Sequence, residues 1–190
     1  MKDCDWILAS ASPRRVELLK TLIPSFQIIP SNIEEVFDSS LSVIEQATEL
    51  AEQKAIAVSK QLGARPEKTA IIGADTIVAL DEEVFGKPLD HKDAVRILTL
   101  LSGKTHRVVT GVSVISPDKT ISFWEETFVT FRTLTHEEIL DYVATDEPYD
   151  KAGAYAIQGG AASFVAQISG DVNNVIGLPI SRLAQEMRSL

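Results

Sequence analysis

A single cysteine, Cys4, among 190 residues rules out an intramolecular disulfide and any zinc site built from several thiolates. Such sparing use of cysteine fits a reducing cytoplasm. The apolar run TAIIGADTIVAL at 69–80 is interrupted by Asp75 and closely flanked by charge, so it falls short of the roughly 20 apolar residues that span a bilayer. The opening MKDCDWILASASPRR likewise lacks the apolar core of a secretion signal, because its short run leads straight into arginines. A soluble cytoplasmic protein with no membrane association is expected. Basic residues are also in deficit: 18 Lys and Arg against 27 Asp and Glu give a formal net charge of −9. Sequence-independent binding to nucleic acid is thereby disfavoured, since that affinity comes from neutralising phosphates. Neither GxxxxGK[ST] nor GxGxxG occurs, which excludes a P-loop and a dinucleotide-binding turn. If the ligand is a polyphosphate, so acidic a chain must gather its few cations at one place, with a divalent metal to help.

What is present is an ordinary globular composition, 45% hydrophobic and 24% charged, and a length that supports one buried core. One domain over 1–190 is expected. Runs rich in Ile, Val, Phe and Thr at 6–9, 70–80, 108–115 and 123–131 read as strands. Between them lie segments of helical period. Ser12-Pro13 is a cap followed by a proline at the first helical position, and that helix should end near 23–24. Ser42 with Glu45 boxes a long helix that stops at Gly63. Further helices are expected over 90–101, from Thr135 with Glu138 through Val143, and from Pro179 to the end. Alternation of strands and helices implies an α/β architecture, and the turn-like Ser116-Pro117-Asp118-Lys119 implies a hairpin inside it, hence a mixed sheet.

Four places could carry chemistry, and two lysines are further candidates. In Leu8-Ala9-Ser10-Ala11-Ser12-Pro13-Arg14-Arg15 a strand gives way to a helix N-terminus bearing hydroxyls and two arginines. Free N–H groups, the positive helix end and guanidinium groups together make an anion site; the bland alternative is a serine cap with solvated arginines. Asp75 interrupts one of the most apolar segments, where a carboxylate is costly unless it is paired, hydrogen-bonded or metal-bound. Glu34-Glu35 in a loop could add hard oxygen ligands for Mg²⁺ or Mn²⁺, or be plain solvated charge. Lys54, among alanines and leucines, and Lys87, in Phe85-Gly86-Lys87-Pro88, are candidate cations, with a snorkelling lysine and a turn lysine as the alternatives. In Asp150–Gly160, small residues bracket Lys151, Tyr155 and Gln158, so backbone could approach a ligand closely; a simple turn is the alternative. His91, His106 and His136 share no metal-ligand spacing and read as surface residues, and Cys4 lacks an evident base.

Taken in order, Ser10-Ala11-Ser12-Pro13-Arg14-Arg15, Glu34-Glu35, Glu52-Gln53-Lys54-Ala55, Gly73-Ala74-Asp75-Thr76, Gly86-Lys87-Pro88, Leu101-Ser102-Gly103-Lys104-Thr105-His106 and Asp150-Lys151-Ala152-Gly153-Ala154-Tyr155 resemble the Maf family nearly end to end. The departures are Ala11, where many members have glycine, and Gln53, where arginine is commoner; neither removes a proposed catalytic group.

The resemblance implies a Maf/inosine-triphosphatase-like fold, an elongated mixed sheet flanked by helices, bilobed with a central cleft, and usually a homodimer. It implies hydrolysis of nucleoside triphosphates to monophosphate and pyrophosphate, helped by Mg²⁺, Mn²⁺ or Co²⁺. Carried onto this sequence, the proton acceptor falls on Asp75, and the phosphate and metal residues on Ser10, Arg15, Glu35, Lys54 and Lys87, with Ser12 beside them. Arg14, Thr76 and Gln158 resemble the branch that acts on dTTP and UTP. The rival functions are a nucleotide-binding regulator of cell division or septum formation with little turnover, and a house-cleaning enzyme for non-standard purine triphosphates.

Overall fold

The computed structural model describes residues 4–34, 36, 38, 40–63 and 68–190. Strand β1 (Asp5–Leu8) leads into helix α1 (Pro13–Lys20), where Ser12 caps and Pro13 opens the first turn. After the short β2 (Gln27–Ile28), helix α2 (Val43–Leu62) begins at a complete capping box: Ser42 accepts from the Glu45 N–H while the Glu45 carboxylate accepts from the Ser42 N–H. Next come β3 (Thr69–Leu80), β4 (Glu83–Phe85), α3 (His91–Leu101), β5 (Thr105–Ile115), β6 (Thr120–Phe131) and α4 (His136–Val143), the last boxed by Thr135 and Glu138. Short 3₁₀ turns over 147–150, 152–154 and 160–164 lead to β7 (Val165–Ser169), α5 (Val172–Ile176) and α6 (Ile180–Glu186).

The sheet runs β2-β1-β3-β5-β6-β7, with β4 pairing on β3. It is mixed, as expected: β1 is parallel to β2 and β3, whereas β3–β4 and β6–β7 are antiparallel. The β5–β6 hairpin turns at Ser116–Lys119, where the Ser116 N–H donates to the Lys119 carbonyl at 2.9 Å.

Two compact units divide the chain. The first comprises Met1–Asp75, Thr110–Glu125 and Gly177–Leu190. It buries Trp6, Leu8, Leu19, Ile72, Val112 and Leu183 in one cluster, and Ile7, Ala55, Val58 and Ile71 in another. Alternate residues of β1 and β3 thus serve two apolar layers, as strands covered on both faces must. The second comprises Thr76–Val109 and Glu126–Ile176, around Phe85, Leu98, Phe131, Tyr155 and Phe164. Among the described residues no helix is long and apolar enough to cross a membrane.

Candidate active site

Strand β1 sends its outgoing connection toward β2 on one side, and β3 is its parallel neighbour on the other, with Leu8 beside Ile72. At such a divergence the carboxyl ends of parallel strands leave a crevice, the usual ligand position in α/β sheets. Two of the expected groups lie on these strands and the turns that follow them. Beyond β1, the Ser10 hydroxyl is buried and accepts from the Ser12 N–H at 3.2 Å and from the Arg15 guanidinium at 3.3 Å. Arg15 Nε also donates to the Gly177 carbonyl at 2.8 Å. The guanidinium is therefore oriented at both edges over the start of α1, where N–H groups and the helix dipole already favour an anion. Arg14, on the same first turn, is half-buried.

Three residues past Ile72 comes Asp75, 6% exposed, paired with Lys54 of α2, 7% exposed. Helix packing brings these groups together. Gly73 lies under α2, and a Cβ built there would stand 2.2 Å from the Ala51 carbonyl oxygen, so only glycine admits this approach. One turn after Ala51, Lys54 meets the carboxylate. A buried ion pair costs several kcal/mol of desolvation per ion before attraction repays it. That cost marks the pair as a candidate for chemistry over stability.

The second unit holds the remaining expected residues. Lys87 is exposed in the turn after β4, and the Gly86 carbonyl beside it accepts from the Gly153 N–H at 3.1 Å, tying that turn to the segment 151–155. Ala154 is held at φ 59°, a left-handed conformation that costs an alanine about 1 kcal/mol and is tolerated mainly at sites under constraint. Gln158 is exposed, and Thr76 is half-buried on β3 directly after Asp75. Glu35 lies outside the described residues, and among those described no group of three His, Cys, Asp or Glu is placed to hold a metal ion.

A family model described as Maf-like protein matches residues 5–190. The chain belongs to the Maf family. It is 49% identical over 183 residues to a dTTP/UTP pyrophosphatase of Bacillus cytotoxicus, covering 96% of this chain and 94% of that protein. A dTTP/UTP pyrophosphatase of Bacillus mycoides is 48% identical over 182 residues, covering 96% and 93%. Among solved structures the Staphylococcus aureus Ham1 protein shares the fold, with a TM-score of 0.51 at 17% identity over 97% of this chain and 98% of that one. The expected Maf-like mixed α/β architecture is the one observed.

One expectation is corrected. His106 is not a surface residue: it is 1% exposed, with Nε2 2.8 Å from the Tyr155 hydroxyl and the Phe131 ring packed edge-on at 4.9 Å between centroids. Alternation along β5 turns it inward with Val108, while Thr105 faces out. Burial pushes its pKa down to about 4. Two contributors to the site also escaped the sequence reading. The Gly177 carbonyl acts across 162 residues of chain, beyond any local signal. Gly73 could have been noticed as a glycine inside a strand, which often marks a close backbone approach.

Proposed function

We propose that this protein hydrolyses dTTP and UTP, with their modified relatives, to the nucleoside monophosphate and pyrophosphate. The observation that carries this reading is the buried pair between Lys54 of α2 and Asp75 of β3, the strand next to β1, which leads into the anion-favouring start of α1. A carboxylate beside a phosphate cradle suits a water-activating base, and the likeness to the dTTP/UTP pyrophosphatases of Bacillus supports the same reading.

In this mechanism Asp75 takes a proton from a water whose oxygen attacks the α-phosphorus. The bond from that phosphorus to the bridging oxygen breaks, and the bridging oxygen leaves with pyrophosphate. Lys54 holds the carboxylate in place, while Ser10, Ser12, Arg15 and Lys87 bind phosphate oxygens, since phosphoryl transfer depends on positioning and charge stabilisation. Asp75 supplies one hard oxygen of the kind that Mg²⁺, Mn²⁺ and Co²⁺ accept, and such ions keep several waters and share substrate phosphates, so a small protein donor set fits. Glu35 would be a further ligand. Bound, the metal would neutralise charge on the leaving pyrophosphate. The enzyme is proposed to act in the cytoplasm as a homodimer on free nucleotides.

Arg14, Thr76 and Gln158 are assigned to base selection. The amide of Gln158 both donates and accepts, which matches the O4 acceptor and N3–H donor of uracil and thymine. Cytosine inverts that pattern and would leave polar groups unpaired. The test is pyrophosphate release from dTTP, UTP, dCTP, dGTP and 7-methyl-GTP with Mg²⁺ or Mn²⁺. Highest kcat/KM for dTTP and UTP is expected. Preference for 7-methyl-GTP would overturn the base assignment alone, and nucleotide binding without pyrophosphate release would favour the regulator of cell division.

A further inference from the structure

Glu147 has no part in the site described above, yet its carboxylate fastens the segment that carries Gln158. Residues 156–160 read Ala-Ile-Gln-Gly-Gly and turn back on themselves, the Gly159 N–H donating to the Ala156 carbonyl at 3.1 Å. Both ends of this turn are pinned from outside it. At one end the Ala156 N–H donates to the Tyr142 hydroxyl oxygen at 3.2 Å. At the other the Gly160 N–H donates to Glu147 Oε2 at 3.0 Å. The Tyr142 hydroxyl donates to Glu147 Oε1 at 3.1 Å, so the two anchors are one assembly. Glu147 is itself held through its backbone, its carbonyl accepting from Lys151 Nζ at 2.8 Å.

Gly159 completes the arrangement. A Cβ built there would lie 1.9 Å from Glu147 Oε1 and 2.4 Å from Cδ, so the carboxylate fills the volume a side chain would take. Its φ of −118° lies outside the left-handed region, so glycine supplies space here: a side chain at 159 would have to push the Glu147 carboxylate aside. Burial, the largest influence on Tyr142, pushes its hydroxyl well above the ordinary phenol range, so it stays a donor to Glu147. Between two fixed ends stands the exposed side chain of Gln158.

We infer that Glu147 is a positioning residue for base selection, which keeps the 156–160 turn rigid so that the Gln158 amide meets the substrate ring in one orientation. The inference rests on the proposed role of Gln158. Its physical content is that an amide reads donor and acceptor together only from the right place: on a backbone free to shift, it would meet the ring by one group at a time and separate thymine from cytosine poorly. Discrimination of this kind requires the reader's support to be fixed. Tyr142 shares the task through the same carboxylate.

The experiment compares kcat/KM for dTTP and dCTP in wild type, Glu147→Ala, Glu147→Gln, Gln158→Ala and Glu147→Ala/Gln158→Ala, each checked for a folded melting transition. Glu147→Ala should lower the dTTP:dCTP ratio by about 10-fold or more, through a raised KM for dTTP with kcat within about threefold of wild type. Glu147→Gln, which keeps one acceptor, should fall between. The double variant should be no less selective than Gln158→Ala, because both changes remove the same discrimination. A merely structural role would reduce kcat for both nucleotides equally and leave the ratio alone. If Gln158→Ala lowers the ratio and neither Glu147 variant does, the positioning role is overturned and the base assignment stands. If Gln158→Ala leaves the ratio unchanged, both fall together. Should Glu147→Ala fail to fold, the nearly isosteric Glu147→Gln decides by the same ratio.

Discussion

Asp75 is an acid in a strand whose neighbours Ile71, Ile72, Ala74 and Ile77 are all buried, and the proposed chemistry gives it one task that no neighbour can assume. Asp75→Asn preserves shape and removes the proton acceptor, so kcat should fall by at least about 100-fold while circular dichroism stays native; near-normal kcat would refute the mechanism and leave family membership untouched. Lys54→Ala and Lys87→Ala should each depress kcat/KM. Lys20→Ala, exposed in the last turn of α1, should not, because electrostatic assistance acts only where charge develops; equal losses at all three would argue for a diffuse field. His106 yields a prediction about pH. Its folded-state pKa of about 4 lies below the ordinary histidine value of 6.5, so on acidification the unfolded chain takes up the proton first. Stability from this residue is complete above pH 6.5 and is lost as pH falls toward 4, amounting in all to about 3 kcal/mol. Urea unfolding at pH 7 and 4.5 should show this loss in wild type and a smaller one in His106→Gln, and matching pH dependence in the two would contradict it. Asp75 was legible in the sequence because charge within an apolar run is costly. His106 was not, because Phe131 and Tyr155, which enclose it, lie 25 and 49 residues further on.

The elements that announced themselves were those with chemical end signals. The boxes at Ser42 and Thr135, the cap at Ser12 and the long β-branched runs of β3 and β5 fall where the sequence puts them. The elements without such signals were missed. Strands β2 and β4 have two and three residues, too few for a period to register, and β7 is held by pairing with β6 across some 40 residues of sequence. The α2–β3 contact is the element-scale feature on which the site depends. Gly73→Ala inserts a methyl group where the Ala51 carbonyl lies 2.2 Å away. Separating α2 from β3 should cost about 1–3 kcal/mol and should also lower kcat, because Lys54 rides on the displaced helix. A Gly73→Ala variant of native stability and full activity would show that the helix can move without disturbing the pair.

On the scale of the whole chain, a net charge of −9 leaves recognition of an anionic substrate to local cations. The buried Lys54–Asp75 pair has a consequence for the stability of the entire fold. Replacing a buried ion pair by apolar residues that pack well is often neutral or stabilising by about 1–4 kcal/mol, whereas removing one partner is destabilising. Lys54→Met/Asp75→Leu should therefore be inactive yet melt no lower than wild type, while Lys54→Met alone melts lower; a double variant that melts below wild type would contradict this. On the proposed mechanism, the fold would carry these two groups at a cost in stability. Breeding this protein for heat resistance alone would therefore not erase the pair one charge at a time, because each first step lowers stability; the two charges guard one another, and only their simultaneous loss would leave a silent descendant as sturdy as its parent.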